Sequence, residues 1–267
     1  MGRRYPRPPA GTHALSTTVP LVRTPPLSAP RRLLGRHLPA RWVAGPRVDD
    51  ALRVARETAA AGLLVGLEHQ AVDPGDDEAE LEALVGRVRA VGLAPVCELT
   101  VPVGRLGRDG AARLGATARD AGLAVVLEGR ADGVAALAGL LPTAGVAVPA
   151  ADAGAEDRCR LFAGRRVRLV DGRGAAAHLG FVRCLNVLMS GPGTPGVATT
   201  DPRLIAIAGE RAAWNDRAPD NWEYVMPYGV RPDEQQRLVA AGYRVRVTVP
   251  SGAGALGLVA RRLAGRS

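Results

Sequence analysis

The 267-residue chain contains no lysine at all; apart from four histidines, every basic side chain is one of 35 arginines. Any site that needs a compact ammonium group is therefore excluded, because a guanidinium is longer, planar and fork-shaped. Cysteine is also scarce. Cys97, Cys159 and Cys184 are an odd, widely spaced set with neither disulfide-framework nor metal-ligand spacing, so a reducing, cytoplasmic setting is expected and no metal. No apolar run is long enough to span a bilayer. Near the N-terminus, Pro20, Arg23, Pro25 and Pro26 interrupt what would be an apolar core, which argues against a secretory signal. No nucleophile stands beside an obvious base.

What is present is enough apolar material, 47% of the residues, for one α/β domain of barrel size. The formal charge of +9 is uneven. Residues 1–48 hold nine arginines and no acid, leaving 26 arginines against 26 acids in the rest. The body is thus neutral, and no specific nucleic-acid partner is expected. Residues 1–40 carry eight prolines and little periodicity, so they read as a flexible, disordered Arg/Pro-rich arm ahead of a domain over 41–267.

From Trp42 onward a unit recurs. Asp49 or Asp50 can cap a helix through Ala61, stopped by Gly62, and "LLVGL" follows as a buried strand. An acidic helix over 76–91 precedes "APVCELT", and a helix from about Gly110 to Ala121 precedes "LAVVLE". "GVAALAGLL" precedes "GVAVP", and "DRCRLFAG" precedes "RVRLVD". After an irregular stretch around "MSGPGTPG", better read as a loop than as a phosphate cradle, "GVATT" leads to a helix opened by Asp201 and Pro202 and running to Trp214. "WEYVM", a helix over 232–241, "RVRVTVP" and a last helix complete the series. Eight strands alternating with helices predict parallel pairing and a closed (β/α)₈ TIM-like barrel.

In such a barrel chemistry sits at the C-terminal strand ends. These include Glu68 and His69, Thr100 to Gly104, Glu128, Pro149 to Asp152, Asp171 to Arg173, Thr199 to Asp201, Met226 to Tyr228 and Thr248 to Gly252. His69 beside Glu68 could serve as a base, though a plain rim residue is the favoured reading. Asp171 could be a new acid or a partner for Arg168 or Arg173, with the ion pair as the favoured reading, and His178 is expected to be structural. Trp214, Trp222 and Tyr224 could stack on a ring, with buried core as the default. In the last helix Leu256, Val259, Ala260 and Leu263 form an apolar stripe, flanked by Arg261 and Arg262 as a solvated face or an anion clamp.

From about Arg41 to Arg266 the chain resembles the proline dehydrogenases. The resemblance is carried by "RWVAG", "CELTVPVGRLG", "RVRLVDGRG", "GVATTDPRLIAIA", "WEYVMPYGVRPDEQQRLVAAGYRVRVTVPSG" and "LVARRLAGR". It implies a barrel of that family's type holding FAD over its mouth, oxidation of proline to pyrroline-5-carboxylate, and a quinone acceptor at the membrane surface. It also implies that Arg261 and Arg262 bind the carboxylate of a small amino or imino acid. Arg168 would lie near the flavin ring, with Glu223 and Thr200 on the cofactor side. No catalytic residue is assigned.

Several positions depart from the family pattern. Pro102 replaces a lysine, Val126 an acid, Pro149 a glutamine and Asp171 a lysine; Thr200 replaces a histidine, Val225 a glutamine and Thr248 a tyrosine. Losing charge-assisted bonds at about 1.5–3 kcal/mol each implies much weaker substrate binding. The sequence therefore leans toward a divergent or impaired FAD-dependent oxidoreductase of this type. The alternative is a pseudoenzyme, a barrel that binds a small anion or a protein partner.

Overall fold

The structure, a computed structural model, describes residues 40–263; apart from Ala40, the arm expected over 1–40 lies outside the described residues. Eight strands close into one barrel in sequence order, and every neighbouring pair is parallel. They are β1 (Leu64–His69), β2 (Cys97–Pro102), β3 (Ala124–Glu128), β4 (Gly145–Pro149), β5 (Val167–Val170), β6 (Pro195–Ala198), β7 (Glu223–Pro227) and β8 (Val245–Ser251). Helix α1 (Val48–Ala60) precedes β1. Helices α2 (Asp77–Ala90), α3 (Val103–Asp120), α4 (Ala131–Leu140), α5 (Ala155–Phe162), α6 (Ala175–Ser190), α7 (Pro202–Trp214) and α8 (Pro232–Ala240) form the crossovers, and α9 (Ala255–Leu263) follows β8. The barrel expected from the alternating pattern is thus the fold.

Local chemistry explains most boundaries. Asp201 caps α7 by accepting from the Arg203 amide at 2.7 Å, with Pro202 at the first helical position, as its sequence signals require. The start of α1 differs from expectation: Arg47 is the capping position, and Asp50 reaches back to accept from its amide at 3.0 Å. Helix α3 begins seven residues earlier than expected. Gly104, Gly107 and Gly110 weaken its first turns, and Gly107 breaks them with φ 67°, yet buried Val103 pins the segment down.

Helix α6 fills residues 175–190, to which sequence reading gave no element, and the loop expected around "MSGPGTPG" follows it. Ala177, Gly180, Phe181, Cys184, Leu185 and Leu188 are buried at helical spacing, but exposed Leu179 and half-buried Val182 and Val187 blur the stripe. The three cysteines are free and buried, and burial pushes the Cys97 thiol up to about 11. Among the described residues no helix is long and apolar enough to cross a membrane.

Strand alternation sends residues such as Gly66, Glu68, Glu98, Thr100, Arg168, Gly196, Glu223 and Arg246 into the barrel interior. A TIM barrel normally fills that space with branched apolar layers. Here charged side chains occupy it, and small residues make room: a Cβ on Gly66 would stand 3.1 Å from the Thr248 methyl and 3.5 Å from the Arg246 stem.

Candidate active site

The mouth of the barrel is assembled by the turn after β8. Gln70 donates its amide to the Ser251 carbonyl at 2.9 Å, and its own carbonyl accepts from Gly254 at 2.8 Å. Gly252, at φ +91°, is what lets this turn sit so close: a Cβ there would lie 2.3 Å from the Gln70 oxygen. The docked turn aims α9 back over the strand ends. Ala255 is buried and Leu258 half-buried, whereas Leu256 and Ala260 are exposed, so the apolar stripe expected from the sequence is not the packed face. The spacing 255, 258, 262 puts Arg262 on the inward side.

A cavity of about 890 Å³ opens beneath α9 on the β1–β4 side of the mouth. Arg261 and Arg262 form its roof with Leu258, while Glu68, Gln70, Thr100, Pro102, Glu128 and Pro149 line its wall and floor. Arg262 is held by two carboxylates of the chain itself: Nη1 donates to Glu68, and Nη2 donates to Glu128 at 3.1 Å. Partial burial opposes its charge, but these two carboxylates win and raise its pKa above the ordinary value. Burial likewise works against Glu128, and Arg262 followed by Arg168 outweighs it, holding the carboxyl below the usual range. Arg261 makes one side-chain hydrogen bond, from Nη2 to the Gln70 amide oxygen at 2.9 Å.

Arg168 lies one layer below the cavity. Its Nη1 donates to Glu68 at 3.3 Å and to Thr100 at 3.1 Å, and its Nη2 donates to Glu98; Nε is buried without a partner among the described residues. Deeper still, Glu98 also meets Arg166, and Arg246 holds Glu223 through Nε at 2.7 Å and Nη2 at 3.2 Å, with Arg166 as a further partner. A continuous chain of ion pairs therefore runs from Glu128 at the mouth through Arg262, Glu68, Arg168, Glu98 and Arg166 to Glu223 at the base. Burial penalises Glu98 and Glu223, but the surrounding guanidinium groups depress both pKa values.

The structure thus separates the residues that the sequence grouped. Arg261 and Arg262 meet over the cavity. Glu223 is the first residue of β7, at the far end of the barrel, and is absorbed into the basal ion pairs. Thr200 follows β6 away from the cavity wall, its carbonyl accepting from Arg231 at 2.7 Å. Asp171 pairs with neither Arg168 nor Arg173; it accepts from the Thr199 hydroxyl, and burial raises its pKa.

His69 contacts the Ser251 hydroxyl through Nδ1 at 2.9 Å and Glu80 through Nε2 at 2.7 Å, but Ser251 is fully buried and does not line the cavity, so this arrangement presents no hydroxyl to a ligand there. His178 stands 3.9 Å from Asp201, a surface contact. Trp222 and Tyr224 are core, edge-on to each other and to Tyr243, while Trp214 is 80% exposed rather than buried. Sequence reasoning missed Glu98, Arg166 and Arg246; the available signal was charge alternating with apolar residues inside "CELT", "RVRLV" and "RVRVTV".

These residues do not form a flavin site of the kind the resemblance implies. Arg168, the group that would face the ring, has both terminal nitrogens committed inside the barrel and does not reach the cavity. Beyond β5 the protein packs on itself, since a Cβ on Gly172 would lie 2.9 Å from those of Ala151 and Ala177.

No protein-family model matches the chain. A 100-residue segment is 37% identical to Proline dehydrogenase 1 of Bacillus subtilis (strain 168), covering 38% of this chain and 32% of that protein. A 68-residue segment is 40% identical to Proline dehydrogenase of Deinococcus radiodurans, covering 26% and 22%. Among solved structures, proline utilization A (PutA) from Bdellovibrio bacteriovorus, inactivated by N-propargylglycine, superposes with a TM-score of 0.69 at 15% identity, covering 84% of this chain and 32% of that one. The matches thus span about a third or less of these relatives' lengths, and the structural likeness speaks for the barrel fold. Part of the chain is similar in sequence to proline dehydrogenases, and its barrel is similar in fold to that of PutA.

Proposed function

We propose that the chain is a divergent proline dehydrogenase-like barrel that binds the carboxylate of a small amino or imino acid at its mouth and is impaired as a proline-oxidising flavoenzyme. The observation that carries this reading is the pairing of a kept anchor with a committed partner. Arg261 and Arg262 roof a ligand-sized cavity, while Arg168 below them is tied to Glu68, Thr100 and Glu98. A guanidinium held by carboxylates inside a low-dielectric barrel is costly to redirect toward another group.

The departures from the family pattern support the same reading. Pro102, on the cavity wall, and the buried Val126 and Thr248 offer neither the ammonium, the acid nor the ring that the resemblance would have close on proline. A quinone acceptor at the membrane surface belongs only to a flavin-competent form. Three buried, unpaired thiols favour a reducing, cytoplasmic setting. Calorimetry on the full chain with L-proline, in parallel with a dye-linked proline oxidation assay with added FAD, tests the proposal. Measurable L-proline binding without turnover is expected; turnover comparable to an active flavoenzyme would overturn the claim of impairment, and absence of binding would overturn the anchor.

A further inference from the structure

We propose that Cys159 and Cys184 form an oxidisable pair, a modification site at which hydrogen peroxide closes a disulfide between α5 and α6. The observation that carries this is the way the two helices face each other. Glu156 on α5 meets Arg183 on α6 at 3.4 Å, and a Cβ on Gly191, just past α6, would lie 3.0 Å from that of Ala163, just past α5. Cys159 and Cys184 fall between these two contacts, and both are buried. Their thiols stand within hydrogen-bonding reach of each other. Helices packed at an interaxial distance of about 8–10 Å bring facing Cα atoms into the range of about 4.4–6.8 Å that a disulfide spans. Cys97, the third thiol of the chain, lies apart from the pair in strand β2.

The contact between the thiols divides their roles. The hydrogen bond from Cys159 holds the Cys184 thiol below its ordinary range against burial, and the same bond, with burial, pushes Cys159 up. Cys184 is therefore the attacking sulfur. Its thiolate displaces hydroxide from the peroxide and becomes a sulfenic acid, and the hydroxide takes up the thiol proton as water. The Cys159 sulfur then attacks the sulfenic sulfur, and its own proton leaves with the hydroxyl as a second water. Two thiols are oxidised to one disulfide, and their two electrons reduce the O–O bond. Access comes from α5. With eight residues it is the shortest α-helix among the described residues; its inner face rests on Ala155, Cys159 and Phe162, and Leu161 is exposed outside. A helix that short has little stability of its own, so local opening of α5 uncovers both sulfurs at once. Cys97 is uncovered only when a barrel strand lets go. Closing the bridge pins α5 and with it Arg158, the cavity-lining neighbour of Cys159. The site does not depend on what the mouth binds.

The test is to incubate the folded full chain with hydrogen peroxide, alkylate it with N-ethylmaleimide, digest it and map the thiols by mass spectrometry. The expected product is a peptide pair joined through Cys159 and Cys184, two hydrogens lighter than the separate peptides and reopened by dithiothreitol, with Cys97 still a free thiol. Cys159→Ala should stop the reaction at a sulfenic acid on Cys184 that dimedone traps, and Cys184→Ala should leave Cys159 unoxidised under the same exposure. A bridge through Cys97, or both thiols still free after an exposure that consumes cysteine added to the same tube, would overturn the proposal. Dimedone trapped on Cys159 in Cys184→Ala would overturn the order of attack. The unaltered chain decides the pairing even where a variant fails to fold.

Discussion

Base and mouth of this barrel are built from the same two residue types, and they do different things with them. At the base, Glu98 and Glu223 face Arg166 and Arg246 with both carboxylates buried, and both of these guanidinium groups end on acids. At the mouth, Arg262 is equally committed but a third of its side chain is exposed, and beside it Arg261 meets only an amide. The comparison teaches where function can remain. A closed set of buried charges is architecture, because removing any member leaves an unpaired ion in low dielectric. A guanidinium with a weak neutral partner can still take a ligand.

The base should break most severely. Glu98→Ala leaves Arg166 with Glu223 alone and Arg168 with Glu68 alone as carboxylate partners, and a loss of about 3–5 kcal/mol in urea unfolding is expected; a loss indistinguishable from an ordinary surface change would show that the base is not one network. The same carboxylates set the acid response. Glu98, Glu223 and Glu128 have folded pKa values depressed below the ordinary 4.5, so their stabilisation is complete above that value and is lost as the pH falls through the depressed ones. Stability measured by urea titration should therefore decline from about pH 4.5 downward, and a flat profile there would contradict the network.

The mouth should break more gently. Gly252→Ala, with its Cβ driven toward the Gln70 oxygen, should cost about 1–3 kcal/mol and loosen α9, seen as faster amide exchange in α9 than in α1. Arg261→Ala sharpens the contrast further: thermal unfolding should move by no more than about 0.5 kcal/mol. A large loss there would mean that Arg261, too, is architecture.

How much of this was legible in the sequence depends on what each residue answers to. The barrel could be read because strand and helix periods, helix-stopping glycines and the Asp201–Pro202 start are local signals. Glu68, His69 and Glu128 could be placed at the mouth because strand ends fix them there. Their partners could not. Arg262 finds Glu68 and Glu128 across separations of 194 and 134 residues, and Arg168 finds Glu98 across 70, so only closure of the barrel brings them together. Glu223 shows the same limit from the other side: its motif matched, but its place at the start of β7 puts it at the base.

The central claim is that the fold and the carboxylate anchor persist while the flavin site does not. It is tested most directly by titrating the purified full chain with FAD, removing free cofactor, and recording the visible spectrum before and after anaerobic L-proline. The result expected is a colourless protein that keeps no flavin and shows no change on adding proline. A yellow protein with stoichiometric flavin that bleaches with L-proline would contradict it.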